Sequence, residues 1–202
     1  MIFEYNRKAN MEIWNETMGA KEMFGMKFPD TFSITPKDEE QAKEMATKFA
    51  TVWDKDKEMK EKIFKIYGYK IPDEKLVCYI NTSRWSSVGP KTRYISLSML
   101  MPIEYVSPTI VHEFSHVAFY IKWGEFCREL GYTENGVEEL KEVLTVINNI
   151  EFKDLIDRGY KVHKELREIV KNMWLVGKNL KEIVSDPKII ESVNSLDTIK
   201  KR

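Results

Sequence analysis

The sequence predicts an α+β fold that is mostly helical, with a short β-sheet or hairpin ahead of one apolar helix and further helices on both flanks. Three observations carry this expectation. Helical periodicity dominates residues 7–24, 35–67 and 135 onward. Two stretches read as strands, 76–81 and 94–99, and both precede residue 107. Residues 107–124 make a helix so apolar that His112, Glu113 and His116 stand out within it.

The elements follow in order. Residues 7–24 carry Ala9, Ile13, Trp14 and Met18 along one side, and Gly25 with Phe28-Pro29-Asp30 ends the pattern. Thr35-Pro36-Lys37-Asp38 is a helix start, with a threonine cap, proline in the first turn and an acid behind it. Ala42, Met45, Phe49, Val52 and Trp53 continue that helix to about residue 67, with a break expected at 54–57. A turn at 68–73 leads to the strand 76–81. Residues 82–92, with Gly89-Pro90, read as a long hairpin loop to the strand 94–99.

Ser107 then suits an N-cap, Pro108 the first helical position and Gly124 the stop. Further helices are expected over 135–151, 152–176 and 180–185, with a frayed tail over 196–202. The length of 202 residues suits one domain in three parts: helical 1–70, the strands and central helices of 71–151, and helical 152–202.

Composition narrows the function classes. Lys plus Arg number 32 and Asp plus Glu number 32, and no long block has a single sign. Nucleic-acid binding through phosphate neutralisation is therefore not expected. No apolar run is long enough to span a bilayer, and the charged N-terminus shows no export-signal core. Cys78 and Cys127 are lone cysteines, outside any CxxC pair, and suit a reducing, cytoplasmic setting. Asn81-Thr82-Ser83 fits the glycosylation acceptor pattern and is read as a chance match.

The chemistry lies in Val111-His112-Glu113-Phe114-Ser115-His116, an HExxH sequence. Residues four apart on a helix are neighbours, so His112 and His116 project one turn apart and can share one metal ion. The chain has three histidines, and this motif uses two of them. Glu113 stands beside the pair and is placed to act as a general base toward a water. This is the ligand-and-base arrangement of zinc peptidases.

A catalytic zinc takes three protein ligands, so one more is needed. A third histidine six positions on is ruled out by Lys122, and Phe119 stands where that pattern has glycine. A glutamate on the helix 135–151 is the remaining common solution. Glu142 is favoured because it flanks the apolar stripe of Val137, Leu140, Leu144 and Ile147, with Thr145 and Asn149 continuing a polar line from it. Glu139 and Glu138 stay open as alternatives.

The residues His112-Glu113-Phe114-Ser115-His116, with Glu142 and Thr145 downstream, resemble the gluzincins, the zincin metallopeptidases whose third ligand is a glutamate. Glu142 falls 26 positions after His116, similar to the thimet-oligopeptidase-like and carboxypeptidase-Taq-like enzymes. Thr145 stands where such enzymes commonly have serine. Val146 departs from the aspartate of the thermolysin-like pattern. Outside residues 76–150 the chain resembles no family we can name.

The resemblance implies a small zincin-like domain and a zinc endopeptidase acting on peptides or unfolded protein. It implies Zn²⁺ on His112, His116 and Glu142, with Glu113 as catalytic base. Tyr160, His163 and Tyr120 are candidate oxyanion donors. It further implies that the strand before the active-site helix, with Tyr94, Ile95, Ser96 and Leu97, is a sheet edge that pairs with extended substrate. The loop after residue 81, with Arg84 and Trp85, would overhang that cleft. A zincin-fold regulatory or partner-recognition module, with little protease activity, is the alternative.

Overall fold

The computed structural model describes residues 1–24, 34–70, 76–83, 86–89, 94–152 and 159–199. Residues 25–33, 71–75, 84–85, 90–93, 153–158 and 200–202 lie outside them, and with Arg84 and Trp85 the expected overhang of the cleft. The described chain is α+β and mostly helical, as the periodicity predicts.

Cap chemistry sets several boundaries. Thr35 forms a capping box with Asp38, opening α2 (Pro36–Lys55). A break at Asp56 separates it from α3 (Lys57–Tyr67). Ahead of them stand β1 (Ile2–Glu4), a strand too short for alternation to reveal, and α1 (Arg7–Phe24).

The sheet corrects the expected hairpin. It contains β2 (Val77–Asn81), β3 (Ser87–Gly89) and β4 (Tyr94–Ser98) in the order β1-β2-β4-β3. β1, β2 and β4 run parallel, and β3 returns antiparallel on β4. β2 and β4 are thus joined by a crossover that contains β3. Parallel strands are buried on both faces and read as continuous apolar runs; Ile95, Leu97 and Ser98 of β4 are all buried.

β4 is also not a sheet edge. Ile95 pairs with Cys78 on one side and Val88 on the other, and Tyr94 and Ser96 are likewise flanked by β2 and β3. Leu97 pairs with Ile80 and is fully buried. The backbone groups of Tyr94, Ile95 and Ser96 are taken up within the sheet, so the peptide-pairing role expected of this strand is withdrawn. Asn81 is fully buried, donating to Ser96 and accepting from Ser83, as suits a chance glycosylation match.

The long central helix, α4 (Val106–Glu129), runs past its expected stop. Gly124 is buried in mid-helix, an interruption tolerated at about 1 kcal/mol. The stop is Gly131, whose φ of 92° suits glycine. Gly131 N–H donates to Arg128 O and Tyr132 N–H to Cys127 O, a Schellman pair of bonds.

The expected helix over 135–151 is two: α5 (Glu134–Leu144), capped by Thr133, and α6 (Val146–Glu151). The break at Thr145 has a local cause. Thr145 Oγ1 and Arg167 Nη1 both donate to the Glu142 carbonyl, at 2.8 and 3.0 Å, in competition with the helical bond. Of the helix expected over 152–176, residues 153–158 lie outside the described residues; Gly159, with a φ of 61°, and the extended Tyr160 are not helical, and the described helix is α7 (Lys164–Leu175). After α8 (Leu180–Val184) comes α9 (Pro187–Ile199), a helix not expected over 187–195, which continues through 196–199 of the tail expected to fray; residues 200–202 lie outside the described residues. Asp186 and Pro187 start it, with Lys188 N–H donating to Asp186 Oδ1.

The chain divides into two compact units, residues 1–58 with 71–113 and residues 59–70 with 114–202, which cut across the three blocks drawn from the sequence. The first has α1 and α2 against the sheet, with Ile13, Phe49, Trp53, Cys78 and Ile80 buried. The second packs α5 on α7 and α9, with Val137, Leu140, Val170 and Val193 buried. The division falls inside α4, which is itself one continuous helix.

Candidate metal centre

α4 holds its polar residues by burying the rest. Ile110, Val111, Phe114, Val117 and Ala118 are fully buried, which fixes the rotation of the helix about its axis. His112 is half-buried, while Glu113 and His116 are buried. Ser115 Oγ accepts from Asn148 Nδ2 at 2.9 Å, inside the core. The buried Tyr67 hydroxyl also bonds Ser115, and the Tyr67 carbonyl accepts from Trp123 Nε1 at 2.9 Å. The helix is thus held by hydrogen bonds immediately beside His116. Burial drives the Tyr67 hydroxyl upward in pKa, and the Glu142 carboxylate adds to that shift, against the lowering by Ser115.

α5 supplies the third group. His116 Nε2 lies 3.3 Å from Glu142 Oε1. His112, His116 and Glu142 each offer one ligand atom, and these atoms lie within 4.8 Å of one another. Among the described residues this is the group of three or more His, Cys, Asp or Glu side chains with spacing for a metal ion. An ion with tetrahedral ligands at 2.0–2.1 Å sets neighbouring ligand atoms roughly 3.3 Å apart, the separation of His116 and Glu142. Two imidazoles and one carboxylate are a donor set that suits zinc. Lys141 Nζ stands 3.8 Å from Glu142 and 3.0 Å from Glu138.

The other two glutamates stand elsewhere. Glu138 is exposed and faces Lys141. Glu139 is buried, with its Oε2 2.5 Å from His163 Nε2. His163 therefore sits in a short helical turn before α7 and is engaged with Glu139. Tyr160 is 61 % exposed, its ring edge-on to His163 at 5.6 Å. Tyr120, one turn beyond His116, lies 5.5 Å from Lys141 Nζ across its ring face. Its hydroxyl is buried with no hydrogen-bond partner among the described residues.

Two supports escaped the sequence reading. The expected polar line from Glu142 ran through Asn149; it is Asn148 that is buried and donates to Ser115 Oγ. The signal was Ser115, a polar residue buried in an otherwise apolar stretch. Arg167 is 6 % exposed and donates to Thr145 Oγ1 at 2.6 Å. Its signal was its place between the apolar Leu166 and Val170, where a charge must be compensated.

No helix among the described residues is long and apolar enough to cross a membrane. No family model, curated protein or solved structure matches the chain.

Proposed function

We propose that this protein is a zinc-dependent peptidase acting on peptides or unfolded protein. The observation that carries the reading is the meeting of His112, His116 and Glu142 within 4.8 Å, with Glu113 next to the first ligand in the sequence. An HExxH sequence alone is two histidines and an acid. A glutamate from a second helix beside them completes the three-ligand set that a catalytic zinc takes.

Zinc held there supplies a Lewis acid that polarises a peptide carbonyl and acidifies water. The chain supplies the rest. Glu113 accepts a proton from the attacking water and returns it to the departing amine. Its burial on α4 keeps the carboxylate in one place between the two transfers. Thr145 and Arg167 hold the end of α5 by its Glu142 carbonyl and so fix where the Glu142 side chain starts. Ser115 and Asn148 do the same for the turn of α4 that carries His116.

The test is hydrolysis of a fluorogenic unfolded casein by zinc-loaded protein. Cleavage that disappears with a chelator and returns with zinc supports the reading. Zinc-loaded protein that leaves casein, short peptides and denatured protein intact overturns it.

A further inference from the structure

On the zinc reading of the site above, we propose that Lys141 is a positioning residue that competes with the metal ion for Glu142. The site thus carries its own counter-cation and holds zinc less tightly than its ligands alone would. Lys141 Nζ lies 3.8 Å from Glu142 Oε1, the same oxygen that lies 3.3 Å from His116 Nε2. One carboxylate oxygen therefore meets both a ligand imidazole and an ammonium. A divalent ion taken up between His116 and Glu142 shares that oxygen with the ammonium, and the two cations repel at short range.

The ammonium is held beside the ligand set. The Lys141 side chain is only 14 % exposed, although lysine is among the residues least often buried. Its Nζ stands 5.5 Å over the ring of Tyr120, one turn beyond His116 on α4. Glu138 Oε2 lies 3.0 Å from the same Nζ. Glu138 is the closer carboxylate and the more exposed, at 50 % against 18 % for Glu142. It gives the ammonium a second seat, so an incoming ion drives Lys141 off Glu142 without leaving the lysine unpaired. Glu138, Lys141 and Glu142 are neighbours on α5, so the exchange needs only side-chain rotation. An ordinary ion pair between Lys141 and the exposed Glu138 is worth little and would leave zinc affinity unmoved.

Zinc affinity of the full-length protein, measured by competition against a chromogenic chelator, tests this. Lys141→Met keeps a long stem over Tyr120 and removes the charge. It should bind zinc about fivefold or more tightly than the parent, the scale of one unit charge at this range in a partly hydrated site. Lys141→Gln should show the same gain. Lys141→Arg keeps the charge and should bind no more tightly than the parent. Glu138→Gln removes the second seat, and should weaken zinc binding more in the parent than in Lys141→Met. Unchanged or weaker binding by both neutral variants overturns the proposal, as does an equal effect of Glu138→Gln in the two backgrounds. The parent's own titration tells this failure from that of the metal reading: a parent that binds no zinc defeats both, and one that binds zinc leaves the metal reading standing.

Discussion

His163 Nε2 lies 2.5 Å from Glu139 Oε2, and both side chains are buried. That pair separates two glutamates that sequence spacing leaves nearly equivalent. Glu139 has a partner of its own, and Glu142 faces His116. Glu139→Gln should therefore leave zinc affinity intact while lowering the melting temperature, since a buried group loses a partner at about 1–3 kcal/mol. Glu142→Gln should weaken zinc by more than the roughly 10–100-fold typical of supporting residues. Competition titration against a chromogenic chelator measures both. The reverse ranking would put the wrong glutamate in the ligand set.

Thr145 is fully buried and bridges Arg167 and the Glu142 carbonyl. Thr145→Val keeps the shape and removes the hydroxyl. We expect a loss of about 1–3 kcal/mol in urea denaturation, with Thr145→Ser close to the parent. Equal stability of all three would show that the bridge does not hold α5.

Burial pushes the Cys127 thiol up to about 12, partly offset by Arg128. Burial also raises Cys78, with the Glu113 carboxylate adding to the shift. The thiolate is the reactive form, and at pH 8 both sites lie well below their midpoints. Iodoacetamide should leave the folded protein unmodified and alkylate both cysteines in guanidinium, as mass spectrometry reads. Rapid labelling of either in the folded protein would contradict the buried positions.

Much of the fold was legible because periodicity and caps are local. The α2 start at Thr35, the break at Asp56 and the apolar face of α4 are all written in adjacent residues. What escaped depended on distant partners. The parallel β2–β4 pairing is invisible to strand patterns, which do not carry direction. The Thr145 break needs Arg167, 22 positions on. Gly124 and Gly131 show the same limit: one is absorbed in α4 and the other ends it, and neighbours decide which. In the site, the histidine pair was plain from spacing. The choice of Glu142 rested on its flanking the apolar stripe, and the structure puts that residue beside His116. The assignment of Tyr94 to Leu97 as a substrate edge failed because β3 pairs with β4 over Tyr94, Ile95 and Ser96, and Leu97 is buried.

Glu113 is proposed as a base and is absent from the ligand set. Glu113→Gln should keep zinc at the parental stoichiometry and reduce casein cleavage by at least about 100-fold. Zinc content by plasma emission and initial rates on the same preparation separate the two effects. Full activity in this variant would remove Glu113 from the mechanism.

The central claim is a single zinc site on His112, His116 and Glu142. It is tested most directly by X-ray absorption of protein reconstituted with one equivalent of zinc and dialysed. The account predicts one tightly held ion, two imidazoles and oxygen donors at about 2.0–2.1 Å, and loss of the ion on His112→Ala or His116→Ala. Protein that retains no zinc, or retains it equally after both substitutions, would contradict it.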